Sequence, residues 1–379
     1  MKLAIISHTE HYQLPDGTIL GWGPTVREIN HLVDIFEEIY HIAMLSSESP
    51  PQSALKYDSE NIHFIPIPMV GGKDYKSKAS IFLKAPTTVK TVTDILKKVD
   101  CFQFRAPTGI GVYLIPYLSL FSKKKGWFKY AGNWNQVNPP FGYALQKFFL
   151  KNQKRKVTIN GSWPNQPSHC LSFENPCLTQ KNLEDGAEVC KSKDYSGKLK
   201  LCFVGRLEEE KGVGIIIDSL KSLDKSFQEN IESVSFVGEG PMKIDFKRRV
   251  ENLPIPTKFL GSLSNQGVFK IFEKSHFLLL PTLASEGFPK VLAEAINFGC
   301  IPVVTDISSI TQYIKHRNNG FVLSKNNTER DLSDIIKELA VIKREELNTY
   351  LLNRQQLVDK FTFTYYNSRI LNEIIGTNN

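Results

Sequence analysis

Ser285-Glu286-Gly287-Phe288-Pro289-Lys290-Val291-Leu292-Ala293-Glu294 is the stretch on which the fold turns. Before it runs His276-Phe-Leu-Leu-Leu-Pro281, an apolar segment too short for a helix that reads as a buried strand. After it, Ala295-Ile296-Asn297-Phe298-Gly299 ends a helix at a glycine, and Ile301-Pro302-Val303-Val304 is a second short apolar strand. Strand, loop, helix and strand make one parallel βαβ unit. In such a unit the loop after the first strand's carboxyl end opens on the ligand side of the sheet. Glu286 falls in that loop and Glu294 about two turns into the helix, so their carboxylates address different parts of one extended ligand. Two glutamates at this spacing also occur on ordinary surface helices; the Gly-Phe-Pro insert and the flanking strands set this pair apart.

Further toward the amino terminus, Lys200-Leu-Cys-Phe-Val204 is another short strand. It leads into Gly205-Arg206-Leu207-Glu-Glu-Glu210-Lys211-Gly212 and an apolar-periodic helix from Val213 to Leu223. Arg206 and Lys211 stand between a strand end and a helix start, where free N–H groups and the positive end of the helix dipole favour an anion. A guanidinium fork and an ammonium point charge suit a diphosphate. The plainer alternative is that Lys211 only solvates the helix start beside Glu208–Glu210. Next, Ser233-Val-Ser-Phe-Val237 runs into Gly238-Glu239-Gly240-Pro241, and Lys258-Phe259-Leu260-Gly261 follows. A dinucleotide fingerprint fails here, because residue 243, where its last glycine should stand, is Lys. That weighs against a nicotinamide-dependent oxidoreductase. The glycines instead predict a tight strand-to-helix turn with Pro241 at the first helical position.

Together these segments resemble the retaining glycosyltransferases of the GT-B fold, family 4 (glycosyl transferases group 1). The resemblance is specific over about residues 200–310 and only topological over the first 180. It implies an α/β protein of two Rossmann-like αβα domains facing across a cleft. Residues 1–180 would form the amino-terminal acceptor domain, 197–360 the nucleotide-sugar donor domain, and 361–379 a helix crossing back. It further implies that Arg206 and Lys211 hold the donor diphosphate, that Glu286 and the main chain of Gly287, Phe288 and Pro289 position the sugar, and that Glu294 takes the ribose hydroxyls. Gly238 and Phe259 would flank the nucleotide. The implied reaction is hexosyl transfer from a nucleotide-diphosphate sugar to a hydroxyl acceptor with retained anomeric configuration, with no cofactor and no metal. The acceptor would be a glycan or a lipid-linked sugar, as in bacterial cell-surface polysaccharide or glycolipid synthesis. A catalytically inactive nucleotide-sugar-binding protein is the alternative.

The amino-terminal half carries weaker signals. Gly21-Trp22-Gly23-Pro24-Thr25 follows the strand Lys2-Leu-Ala-Ile-Ile6 and opens a helix from Val26 to Phe36. It resembles the family's Gly-rich loop near the donor phosphates and acceptor, with Trp22 inserted, so Gly23 is the better candidate. A loop glycine pair with Pro24 as helix initiator is the competing explanation. Arg105 follows the strand Asp100–Phe104, at a place where many family members carry a His; it binds an acidic acceptor or the reacting sugar, or serves as an ion-pair partner. Asn133, after the strand Trp127–Ala131, is a candidate acceptor contact. The eight histidines are scattered and suggest no ligand cluster.

Composition fits a two-domain enzyme, since 379 residues exceed one ordinary core. No run of eighteen apolar residues and no leader pattern occurs. The six cysteines lack any C-x-x-C spacing and read as reduced thiols, Cys101, Cys202 and Cys300 in or beside core strands, which points to the cytoplasm. No Asp-x-Asp is present, so the metal-holding motif of the other major glycosyltransferase architecture is missing. The polar, Pro-containing stretch Gly161–Ser196 reads as an inter-domain connection with few periodic segments. Residues 1–180 hold 20 Lys/Arg against 13 Asp/Glu, which is +7 of the total +8. From Phe121 to Lys156 there are nine basic residues and no acid, and Phe141–Lys151 mixes aromatic and basic residues on a predicted helix. Such a face suits anionic headgroups on the inner side of the plasma membrane, a lipid-diphosphate acceptor, or plain solvation. With no recognised nucleic-acid module, nucleic acid is not an expected partner.

Overall fold

The computed structural model describes residues 1–72 and 75–376. The chain divides into two compact units, Met1–Asn175 with Tyr365–Asn379, and Pro176–Thr364. Residues 377–379 of the expected carboxy-terminal segment lie outside the described residues.

In the first unit, strands β1 (Lys2–Gln13), β2 (Ile19–Trp22), β3 (Glu38–Ser46), β4 (Ala54–Lys56), β5 (Ile62–Ile67), β6 (Cys101–Ala106), β7 (Lys125–Tyr130), β8 (Val157–Ile159) and β9 (Cys170–Ser172) make one sheet. Its parallel part runs β5-β3-β1-β6-β7-β8-β9, and the far end of β1 also pairs antiparallel with β2, which pairs with β4. Leu3, Ala4, Ile5 and Ile6 are all fully buried, as a parallel strand covered on both faces requires. One face is covered by helices α3 (Ala85–Leu96), α4 (Gly111–Leu120) and α5 (Phe141–Lys151), whose Val92, Leu114 and Leu150 pack with Ala4, Ile6, Phe102 and Phe104. They follow α1 (Gly23–Leu32) and α2 (Tyr75–Leu83) in the chain. Against the other face, Ile29 and Leu32 of α1 pack with Leu3, Ile5 and Trp127, beside Tyr366 and Ile370 of the carboxy-terminal helix. That helix runs Phe363–Arg369 and continues as a π-helical stretch, Ile370–Ile375. The sequence places the start of α1 at Val26; it begins at Gly23, with Pro24 in its first turn, where a missing N–H costs no helical bond.

A buried charge cluster ties this unit together. Glu28 of α1 is 3% exposed and accepts hydrogen bonds from Lys129 Nζ (2.7 Å to each carboxylate oxygen), Arg105 Nη2 (2.6 Å) and the Tyr366 hydroxyl (3.1 Å). Lys129, counted above among the cations of a basic face, is therefore not on the surface. Its charge is taken up by a carboxylate 101 residues earlier in the chain.

The second unit is a six-stranded sheet, β10 (Leu199–Val204), β11 (Ile231–Val237), β12 (Thr257–Phe259), β13 (Phe277–Leu280), β14 (Ile301–Thr305) and β15 (Phe321–Leu323), in the order β12-β11-β10-β13-β14-β15. Every pairing in it is parallel, so all six carboxyl ends lie along one edge. Helix α6 (Gln180–Ser192) and β9 occupy the stretch expected to be an irregular connection. The helix buries only Leu183 and Gly186, too few for an apolar period to show. Its start is nonetheless marked by a capping box, in which Thr179 and Asn182 bond reciprocally. The turn after β11 also differs from expectation. The following helix begins at Lys243, so Pro241 lies in the turn rather than at the first helical position. Among the described residues no helix is long and apolar enough to cross a membrane.

Candidate functional site

The loops that follow β10, β11, β12 and β13 are stitched to one another mainly by main-chain bonds. Gly205 N–H donates to Val237 O (3.0 Å), Leu207 N–H to Glu239 O (3.0 Å) and Met242 N–H to Leu207 O (3.2 Å). Gly238 N–H donates to Gly261 O (2.8 Å), joining the loop after β12. Gly238 has φ +132°, and a Cβ there would stand 1.9 Å from Gly205 O, so glycine is required by both conformation and close approach. On the other side the Glu210 carbonyl accepts from Leu283 N–H (2.9 Å), Ala284 N–H (3.1 Å) and Thr282 Oγ1 (3.1 Å). The segment 205–212 is thereby held between the glycine turn and the loop that carries Glu286.

That stitching brings the two candidate motifs into contact. Lys211 Nζ donates to Glu286 Oε1 across 75 residues of sequence. Lys211 ends a single 3₁₀ turn, Glu209–Lys211, and Gly212, left-handed at φ +82°, starts α7 (Val213–Lys221). The lysine thus sits one residue before the helix cap and turns toward the β13 loop. Its side chain is 16% exposed, whereas that of Glu286 is 43% exposed. Arg206 extends outward at 64% exposure and pairs with Glu208 at 2.6 Å. Glu294 is half-buried on the helix Lys290–Asn297, with Pro289 as its amino-terminal cap position. The Phe288 ring is core: it stacks on Phe361 and meets Tyr313, each at 4.8 Å between centroids, and its side chain is buried. Phe259 stacks on Phe236 at 4.8 Å and 14° between planes, which fixes the end of β12. Among the described residues no three His, Cys, Asp or Glu side chains are grouped to hold a metal ion.

The first unit's candidates are placed differently. A Cβ on Gly23 would stand 2.4 Å from Ser53 O, so this glycine is explained by close packing of the start of α1 against the turn before β4. Arg105 is 12% exposed and bonds Glu28, Thr25 Oγ1 (3.3 Å) and Gln103 Oε1 (3.0 Å), the ion-pair role named as one of its alternatives. Asn133 is half-buried and its side-chain oxygen accepts from Asn135 N–H (3.0 Å). Two histidines that look scattered in sequence do meet. Tyr57 OH lies 2.6 Å from His41 Nδ1 and 2.9 Å from His11 Nε2, and His41 Nε2 lies 2.8 Å from Ser7 Oγ. Burial lowers the pKa of His11 to about 4 and that of His41 well below its ordinary value. No motif marks this cluster, whose members come from β1, β3 and the loop after β4. The residues that hold Lys211 against Glu286 were missed as well, because Glu210 acts through its carbonyl and side-chain identity does not report it.

Residues 188–353 match the family model of glycosyl transferases group 1. An α-1,4-N-acetyl-D-galactosaminyltransferase of Campylobacter jejuni, named for a diNAcBac-PP-undecaprenol-linked substrate, is 30% identical over 173 residues, 46% of this chain and 43% of that protein. An uncharacterized glycosyltransferase of Methanocaldococcus jannaschii is 29% identical over 228 residues, 59% of each. The chain therefore spans about half the length of the curated relatives it matches. Anabaena HepE, solved in complex with UDP and glucose, aligns over 100% of both chains with a TM-score of 0.70 at 13% identity. Two Rossmann-like α/β units, the group 1 match over the second and the likeness of the whole chain to HepE define a GT-B protein related to the glycosyl transferases group 1.

Proposed function

We propose that the protein is a family 4 retaining glycosyltransferase that moves a hexosyl unit from a nucleotide-diphosphate sugar to a hydroxyl of a glycan or lipid-linked acceptor, without a metal, in the cytoplasm. The observation that carries this reading is the contact of Lys211 with Glu286 at the carboxyl edge of the second sheet. A partly exposed ion pair is a weak interaction that water and ligand can replace. The donor diphosphate takes Lys211, with Arg206 swinging in from its exposed position, and Glu286 is released toward the sugar. As the bond from the sugar to the diphosphate breaks, negative charge grows on the leaving oxygens and the two cations stabilise it more than they stabilise the bound donor. Main-chain N–H groups of Gly287, Phe288 and the residues beside Pro289 orient the sugar, Glu294 accepts from the ribose, and Gly238 and Phe259 flank the nucleotide. Gly23 belongs to the donor side and Asn133 to the acceptor side, while Arg105 keeps its ion-pair role with Glu28.

The test is to supply UDP- and GDP-hexoses with a simple acceptor in the presence of a chelator, and to follow nucleoside diphosphate release and the product anomer by proton NMR. One donor should be turned over with its anomeric configuration kept. An inverted product would overturn retention, and activity that returns only with added metal would overturn metal independence.

A further inference from the structure

From Cys101 through Phe173 the sequence contains no Asp or Glu. The structure sorts the cations of this stretch. Lys129 is buried on Glu28, Lys124 Nζ donates to Val99 O (2.7 Å), and Arg155 donates to Ser122 O (2.5 Å) and Lys124 O (3.2 Å). Those last bonds draw the turn before β7 and the turn before β8 together. The exposed lysines of the two turns, Lys123, Lys125, Lys154 and Lys156, therefore share the amino edge of the sheet, beside Lys151 at the end of α5.

The same region exposes large apolar side chains. Helix α5 buries Gln146 and Leu150 and turns the opposite stripe outward: Phe141 (83% exposed), Ala144 and Phe148 (61%), ending at Lys151. The spacing of three, four and three residues keeps these on one face of a helix. Helix α4 packs against α5, and Leu120 (68%) and Phe121 (75%) are exposed at its end. Large apolar groups exposed together mark a surface that something covers. The stretch 101–173 itself carries no acid, and Asp100, which precedes β6 on the same edge, accepts from Lys2 N–H (2.7 Å), so the complementary partner is anionic as well as apolar. An anionic lipid surface offers both: acyl chains for the phenylalanines and headgroup phosphates for the lysines, whose long stems let the charge stay at the water boundary.

We propose that α5 and the end of α4 form a face that docks on an anionic membrane, with Phe141, Phe148, Leu120 and Phe121 entering the acyl boundary and the five lysines taking headgroup phosphates. This deepens the transferase reading by naming a lipid-borne acceptor, and it rests on that reading for the acceptor alone. The experiment is flotation of the full chain with vesicles of phosphatidylcholine, with and without added phosphatidylglycerol, at low and high salt. Calorimetric binding of UDP and GDP is run on the same samples. Wild type should float only with phosphatidylglycerol and less so at high salt, and F141S/F148S and K151E/K154E should each weaken vesicle binding by about tenfold or more while leaving nucleotide binding unchanged. Wild type that binds a nucleotide but no vesicle, or variants that float like wild type, would overturn the docking face. A dimer that F141S/F148S dissociates, with no vesicle binding, would overturn it in favour of self-association. Vesicle binding without nucleotide binding would leave the face standing and sink the transferase reading instead.

Discussion

In the second unit the pair Lys211–Glu286 sits in loops with its carboxylate 43% exposed, whereas in the first unit Glu28, 3% exposed, is enclosed by Arg105, Lys129 and Tyr366. The chemistry of the contacts is alike and their use is opposite. An exposed pair is worth little and can be exchanged for a ligand. A buried carboxylate that satisfies two cations cannot be removed without stranding both. On the proposed function one arrangement serves binding; the other locks α1, β6, β7 and the carboxy-terminal helix into one body.

Three experiments bear on that contrast. The largest effect is expected from Glu28→Ala, which strips Arg105 and Lys129 of their shared carboxylate. Denaturant unfolding should show a loss of about 3–5 kcal/mol confined to the first unit. A change under about 1 kcal/mol would mean the cluster is not the lock described. Next, Lys211→Ala should lower turnover by about 10²–10³, the scale for removing one donor to a developing charge, with the melting curve unchanged. A wild-type rate would remove Lys211 from the leaving-group role.

The third effect is on pH. Burial holds the His11 pKa near 4, below the ordinary value of 6.5, so the folded unit keeps this ring neutral while the unfolded chain takes up a proton. The stability it secures is therefore full above about pH 6.5 and is lost as pH falls toward 4. At about 1.4 kcal/mol for each pH unit in that window, the loss is of order 3 kcal/mol from His11. His41, also lowered, adds in the same direction. Unfolding free energy measured from pH 7 to 4 should fall, and His11→Gln should flatten the fall; a flat wild-type profile would contradict the buried neutral ring.

What the sequence made legible was what local pattern can carry. The runs Phe277–Leu280 and Leu201–Phe203 are apolar without interruption because both faces of these parallel strands are covered, and nothing competes with that signal. Helix α6 was illegible because two buried residues cannot print a period. The fate of Lys129 was illegible because a charge count sees a cation and not its partner in α1. The meeting of Lys211 with Glu286 lay between: both residues were marked by their motifs, but their contact depends on the Glu210 carbonyl, which any residue at that position would supply.

The proposed function requires that the stitched carboxyl edge of the second sheet hold a nucleoside diphosphate. Calorimetric titration of UDP and GDP, with a chelator present, into wild type and the Arg206→Ala/Lys211→Ala double variant tests it most directly. One nucleotide should bind to wild type and be lost by the folded double variant. Equal binding by both proteins, or binding by neither, would contradict the claim.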